Sequence, residues 1–157
     1  MDETATLIAT LMTRIEALED ERAIQALLTR YGIAVDAGDP EATGLIYAED
    51  THIDIDNAAF MSGRAESKGI VSSPQHQAIM PNCAHVMGPF EVQLDGDRAV
   101  ATGYATVYLR EDGQVRVWRQ SYGRWELVKR GGRWQVLKRT SRSTGRDDAQ
   151  ALLRAGL

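Results

Sequence analysis

The chain has 157 residues, 43% hydrophobic and 25% charged, with a formal net charge of −4. This is one domain, long enough to bury about 70% of its unfolded surface without a staple, and its lone cysteine, Cys83, excludes an intrachain disulfide framework. Basic residues scattered among acids exclude a broad nucleic-acid or membrane-surface face, and no apolar run approaches the ~20 residues of a membrane span.

Residues 4–19 place Leu7, Ile8, Leu11, Ile15 and Leu18 at helical spacing, and Asp20 reads as a boundary or cap before a second helix. The opening MDETATLIATLM is acidic and lacks the basic n-region of a signal peptide, so the expected location is cytoplasmic. In the second helix Ile24, Leu27, Leu28, Tyr31 and Val35 form an apolar stripe. Asp36 falls at the edge of that stripe and in the last turn, just before Gly38 and Pro40, where the negative end of the helix dipole repels a carboxylate by about 0.3–1 kcal/mol. Gly32, one turn earlier, costs about 1 kcal/mol against alanine and clears side-chain volume beside Asp36. Two local rules broken together point to a functional site in which Asp36 needs a partner; the alternative is a solvated Asp36 on a fraying helix end and a helix-packing contact at Gly32.

Residues 40–48 begin with proline and read as a short third helix. Thr51 to Asp56 then alternates as a half-buried strand, with His52, Asp54 and Asp56 on one face. Same-face residues along a strand are about 7 Å apart, which suits a solvated face better than a metal site. Residues 57–81 are punctuated by Gly63, Gly69, Pro74 and Pro81 and hold at most one short helix, around Ser73 to Ile79, with His76 at the surface. Four strands follow over 83–94, 98–110, 114–129 and 133–142, joined by tight turns into an antiparallel meander; Gly123 inside the third allows a bend or bulge. Small residues Ala101, Gly103 and Ala105 share a face and leave volume for a ligand, while Val100, Tyr104 and Tyr108 would expose an apolar patch unless subunits cover it. Trp118, Trp125 and Trp134 read as packing on the sheet or as pocket lining, and residues 143–157 as a loosely attached tail or short helix. Helices first and strands afterwards make an α+β domain whose sheet curls around the helices.

The stretches ALEDERAIQALLTRYGIAVDAGDPE, YAEDTHIDID, NCAHVMGPFEVQLDGDRAVATGY and VKRGGRWQVLKR together resemble the SnoaL-like family of the nuclear-transport-factor-2-like superfamily, over residues 15–142. The resemblance implies a single cone-shaped α+β domain, in which a strongly bent, mostly antiparallel sheet wraps the N-terminal helices around a deep pocket. It extends to scytalone dehydratase, bile-acid dehydratase and hexachlorocyclohexane dehydrochlorinase, and through them assigns roles. Asp36 and His85 take the places of a catalytic Asp-His pair, Tyr31 matches a pocket tyrosine and Arg139 a pocket arginine. No second histidine on the later strands matches scytalone dehydratase. A plain core histidine at His85 and helix packing at Tyr31 are the alternatives.

Such a pair has a clear chemistry. A carboxylate on one ring nitrogen fixes the tautomer, leaves the other nitrogen as a base and stabilises the imidazolium. Arg139 or the Tyr31 hydroxyl would stabilise a departing or enolising oxygen. The expected protein is therefore a cofactor-independent and metal-independent lyase of the dehydratase type, acting on a small hydrophobic, aromatic or polycyclic substrate. The expected assembly is a homotrimer, with a dimer as the alternative. An isomerase or cyclase using the same base, or a non-catalytic ligand-binding or accessory subunit, are the competing readings.

Overall fold

Helix α1 runs unbroken from Glu3 to Asp36 in the computed structural model, which describes residues 2–157. The expected boundary at Asp20 does not form, because the surrounding EALEDERAIQ contains only tolerable or good helix formers. Asp20 is an anchor instead: its Oδ1 accepts from Lys129 Nζ and Trp134 Nε1, both at 2.8 Å. Burial pushes its pKa up, but these two donors outweigh that and hold it below the ordinary carboxylate value. From Ile24 onward the predicted stripe is buried against the domain. The turns before Asp20 stand clear of it.

Helix α2 (Pro40–Leu45) is capped by Asp39, whose side chain accepts from the Ala42 N–H. Strand β1 (Tyr47–Ile55) turns into a short partner, β2 (Ala59–Ser62). Helices α3 (Gly63–Ser67), α4 (Gly69–Ser72) and α5 (Pro74–Gln77) fill the segment where at most one helix was expected. Each is too short to show a period in the sequence. Strands β3 (Cys83–Asp95), β4 (Arg98–Glu111), β5 (Gln114–Arg130) and β6 (Arg133–Ser143) are the predicted meander.

The six strands form one sheet in the order β2-β1-β6-β5-β4-β3. Its neighbours are antiparallel except for β1 and β6, which are parallel, so the sheet is mixed. Register shifts between Met87 and Phe90, between Val107 and Tyr108, and between Glu126 and Leu127 mark where it bends. The core lies between α1 and the concave face, with Ile24, Leu28, Tyr31, Tyr47, Trp125 and Val136 among its members. Gln25 ties α1 to the far strand by donating to the Phe90 carbonyl at 2.9 Å.

The tail is fastened rather than loose. Helix α6 (Ala149–Arg154) is preceded by Asp148, whose Oδ2 accepts from Asn57 Nδ2 at 2.8 Å and Arg142 Nε at 2.5 Å, and Gln93 donates to the Gly156 carbonyl at 2.9 Å. Asp54 and Asp56 belong to the same fastening. Arg142 Nη2 donates to Asp54 at 2.7 Å, and Asp56 accepts from Arg119 Nη2 at 3.0 Å and from the Ser143 N–H at 2.6 Å. These acids bind arginines of the sheet instead of facing solvent as a set with His52.

Candidate active site

Asp36 closes α1, and no basic side chain stands in that last turn. Its partner comes from the start of β3. Oδ1 accepts from His85 Nδ1 at 2.6 Å, and Oδ2 accepts from the His85 backbone N–H at 2.7 Å. Both carboxylate oxygens are thereby satisfied, which offsets the unfavourable dipole. The carboxylate acceptor assigns the Nδ1–H tautomer to a neutral imidazole, and Nε2 makes no hydrogen bond among the described residues. The His85 side chain is only 14% exposed and that of Asp36 25%. Gly32 permits this approach: a methyl there would lie 2.5 Å from the His85 carbonyl oxygen. The volume that Gly32 was expected to clear beside Asp36 is thus taken by the β3 backbone.

Two further groups stand against the pair. His76, expected at the surface, is 6% exposed; its Nε2 donates to the Val35 carbonyl at 2.8 Å, and its ring lies 5.5 Å from that of His85. It therefore satisfies a helix-end carbonyl immediately before Asp36. The Cys83 thiol donates to Asp36 Oδ1 at 3.6 Å, and burial, reinforced by the Asp36 charge, pushes it up to about 11. Burial also lowers the proton affinity of His85. Asp36 pulls it partly back, His76 and Arg139 push it down again, and the net value lies below the ordinary 6.5. The uncharged ring is thus favoured more than in a free histidine.

Asp36, Cys83 and His85 present three ligand atoms within 4.8 Å of one another. However, the 2.6 Å between Oδ1 and Nδ1 is hydrogen-bond spacing, well short of the roughly 3.3 Å separating ligands on a tetrahedral zinc. In this arrangement Asp36 and His85 share a hydrogen bond.

Arg139, in β6, lies opposite Trp125 of β5. It is 5% exposed. Nη1 donates to Tyr31 Oη at 2.6 Å and Tyr47 Oη at 3.1 Å, and the guanidinium carbon lies 4.6 Å from the Tyr31 ring centroid and 4.5 Å from that of Trp125. Nε is buried without a partner. Burial pushes the Tyr47 phenol far above its ordinary pKa, so it is a neutral neighbour. The hydrogen-bond partners of Arg139 among the described residues are hydroxyls, not carboxylates, which leaves a fixed positive charge held by π faces and phenols.

The four residues named from the sequence thus form two hydrogen-bonded pairs, Asp36 with His85 and Tyr31 with Arg139. Tyr47, Cys83 and His76 complete them and were not assigned to the site from sequence; Trp125, which also completes them, was read as sheet packing or pocket lining. The volume expected at Gly103 is filled by its own neighbour strand, since a methyl there would collide with the Pro89 carbonyl and Phe90.

Comparison with known proteins agrees with this architecture. No curated protein matches the chain. An NTF2-like protein with a cystatin-like fold from Novosphingobium aromaticivorans is 32% identical, with a TM-score of 0.88 over 92% of this chain and 96% of that one. Hexachlorocyclohexane dehydrochlorinase LinA-type3 from Novosphingobium barchaimii shares the fold at 17% identity, with a TM-score of 0.72 over 83% of this chain and 90% of that one. A provisionally named scytalone dehydratase from Novosphingobium aromaticivorans does so at 17% identity, with a TM-score of 0.70 over 82% and 86% of the two chains. The model of the SnoaL-like domain matches residues 16–140, and with its mixed, bent sheet against the helices the chain belongs to the SnoaL-like family of the NTF2-like fold.

Proposed function

We propose that the protein is a lyase of the dehydratase or dehydrochlorinase type, with the Asp36–His85 pair as its general base. The observation that carries this reading is the two-point capture of Asp36 by one residue, at 2.6 Å through the ring and 2.7 Å through the backbone. The ring bond leaves Nε2 as the free basic nitrogen, and the backbone bond holds the carboxylate in place beside the ring, an arrangement that supports proton abstraction.

In the proposed step Nε2 takes a proton from a carbon beside a carbonyl or other activating group. The C–H electron pair becomes the new double bond, and the leaving group departs with its own bonding pair, as halide or, taking up the proton that the His85 imidazolium returns, as water. Asp36 stabilises the imidazolium formed. The hydroxyl of Tyr31 and the unbalanced charge of Arg139 stabilise the developing negative charge, worth about 10²–10³ in rate for a well-placed donor. The step needs no cofactor. A small hydrophobic substrate is part of the proposal. Names of structural neighbours that include a dehydratase and a dehydrochlorinase add support.

The test is incubation with a panel of β-hydroxy carbonyl and polyhalogenated cyclic compounds, followed by mass analysis of the products. Loss of water or hydrogen halide by the wild-type chain, absent in His85→Gln, supports the reading. A product of unchanged mass makes the protein an isomerase or cyclase. Binding without turnover by either chain makes it an accessory or carrier protein. Self-association through the outer sheet face, where Tyr104 is 46%, Val86 50% and Val117 52% exposed, is part of the proposal and is read by light scattering. No helix among the described residues is long and apolar enough to cross a membrane, and a cytoplasmic location belongs to the same proposal.

A further inference from the structure

The N-terminal turns of α1 leave the domain with an exposed apolar stripe. Ile8, Leu11, Ile15 and Leu18 are 55%, 46%, 49% and 66% exposed, and the helix before Asp20 reaches about 25 Å from its start at 1.5 Å per residue. Their spacing is three, four, three, the a/d repeat of a coiled coil, with isoleucine at both a positions and leucine at both d positions. The repeat points away from the domain. At 3.6 residues per turn the stripe lies about 180° around the helix from Asp20, Ile24 and Tyr31, which face the sheet. Farther along the helix Gln25, Gly32 and Asp36, nearer the azimuth of the stripe, meet β3, so the seam is confined to the turns before Asp20.

We infer that this stripe is a parallel, in-register two-stranded seam with a second copy of the same chain. The a and d residues favour two strands, as β-branched a with leucine d does in parallel dimers. The flanking positions match as well. In a parallel pair each g residue meets the e residue five positions later on the partner helix, which sets Leu7 against Met12, both more than half exposed in the single chain, and Arg14 against Glu19, an opposite-charge pair formed twice by symmetry. An antiparallel pair with the same overlap would set Arg14 against Arg14. The sequence thus selects partner number, direction and register on a surface that the domain itself does not cover. This inference is independent of the catalytic reading.

Cysteine cross-linking of the full chain tests it, with the wild-type chain, which carries only Cys83, as the blank. Leu11→Cys, at a d position, should oxidise to a disulfide-linked pair, whereas Ala17→Cys, on the opposite side of the helix, should remain unlinked. In the Leu11→Cys background, Arg14→Glu or Glu19→Arg alone should slow linking several-fold by setting like charges together, and the two changes combined should restore it. All these positions are exposed, so folding is unaffected. Linking that is equal at positions 11 and 17, absent at both, or indifferent to the charge reversals overturns the seam.

Discussion

Gly32 and the carbonyl of His85 share a space too small for a methyl group, which would lie 2.5 Å from that oxygen and 3.1 Å from Met87 Cγ. In an isolated helix alanine is better than glycine by about 1 kcal/mol. Here the obstacle is a strand backbone that cannot rotate aside, and overpacking of this kind costs about 1–3 kcal/mol. Gly32→Ala is therefore expected to lower the thermal midpoint, by about 2–4 °C for each net kcal/mol at this chain length, and to lower activity by displacing His85 from Asp36. Circular dichroism melting checks the first effect. A raised midpoint would show that propensity wins and that the approach is not tight.

The pH dependence follows from the lowered proton affinity of His85, caused first by burial. Its unfolded counterpart titrates near 6.5, so below that pH the unfolded chain binds the proton more readily than the folded one. The contribution to stability is full above pH 6.5 and is lost as pH falls toward the folded value. Urea unfolding between pH 8 and pH 5 (about the span of histidine titration) should show the wild-type chain losing more stability than His85→Gln. The lower limb of the kcat/KM profile should likewise have its midpoint below 6.5. A midpoint above that value contradicts the burial argument.

Arg139→Met should separate charge from shape. Methionine fills much of the same apolar space, and losing the guanidinium also removes the cost of burying an unbalanced cation, so stability should stay within about 1.5 kcal/mol of the parent. Catalysis should fall by about 10²–10³. The lower limb of the pH profile should move little, because Arg139 acts on His85 more weakly than burial, Asp36 or His76 do. Unchanged kcat would remove Arg139 from the chemistry.

Much of the fold was legible in the sequence, and the reasons for the exceptions are local. The strands from Cys83 to Ser143 follow from alternation and glycine turns. The stripe from Ile24 to Val35 and the misplaced carboxylate at Asp36 likewise stood out without a structure. What misled was punctuation: an acid at Asp20 resembles a cap, yet it answers Lys129 and Trp134, more than 100 residues away. Arg139 shows a second limit. Strict alternation from Trp134 and Val136 carries Lys138 inward and Arg139 outward; the shift between Glu126 and Leu127 reverses this and sets Arg139 against Trp125. Pattern alone would have missed it, and the family resemblance supplied it. His76 had no periodic signal, because its burial comes from one hydrogen bond to the end of a distant helix.

Chelation addresses the alternative use of the same side chains. Treatment with a strong chelator followed by dialysis should leave both folding and turnover unchanged, since Asp36 and His85 are spaced for a shared proton. Activity lost on chelation and restored by zinc, with restoration abolished in Cys83→Ser, would make Asp36, Cys83 and His85 a metal site instead.

The most direct measurement is kcat/KM for His85→Gln, Asp36→Asn and the double variant, on whichever compound the wild-type chain converts. A base and its orienting carboxylate act as one unit, so each single change should cost about 10³-fold or more, substrate affinity should stay within about tenfold, and the double variant should be little worse than either single one. Full activity in His85→Gln, or losses that simply multiply in the double variant, would contradict the dyad.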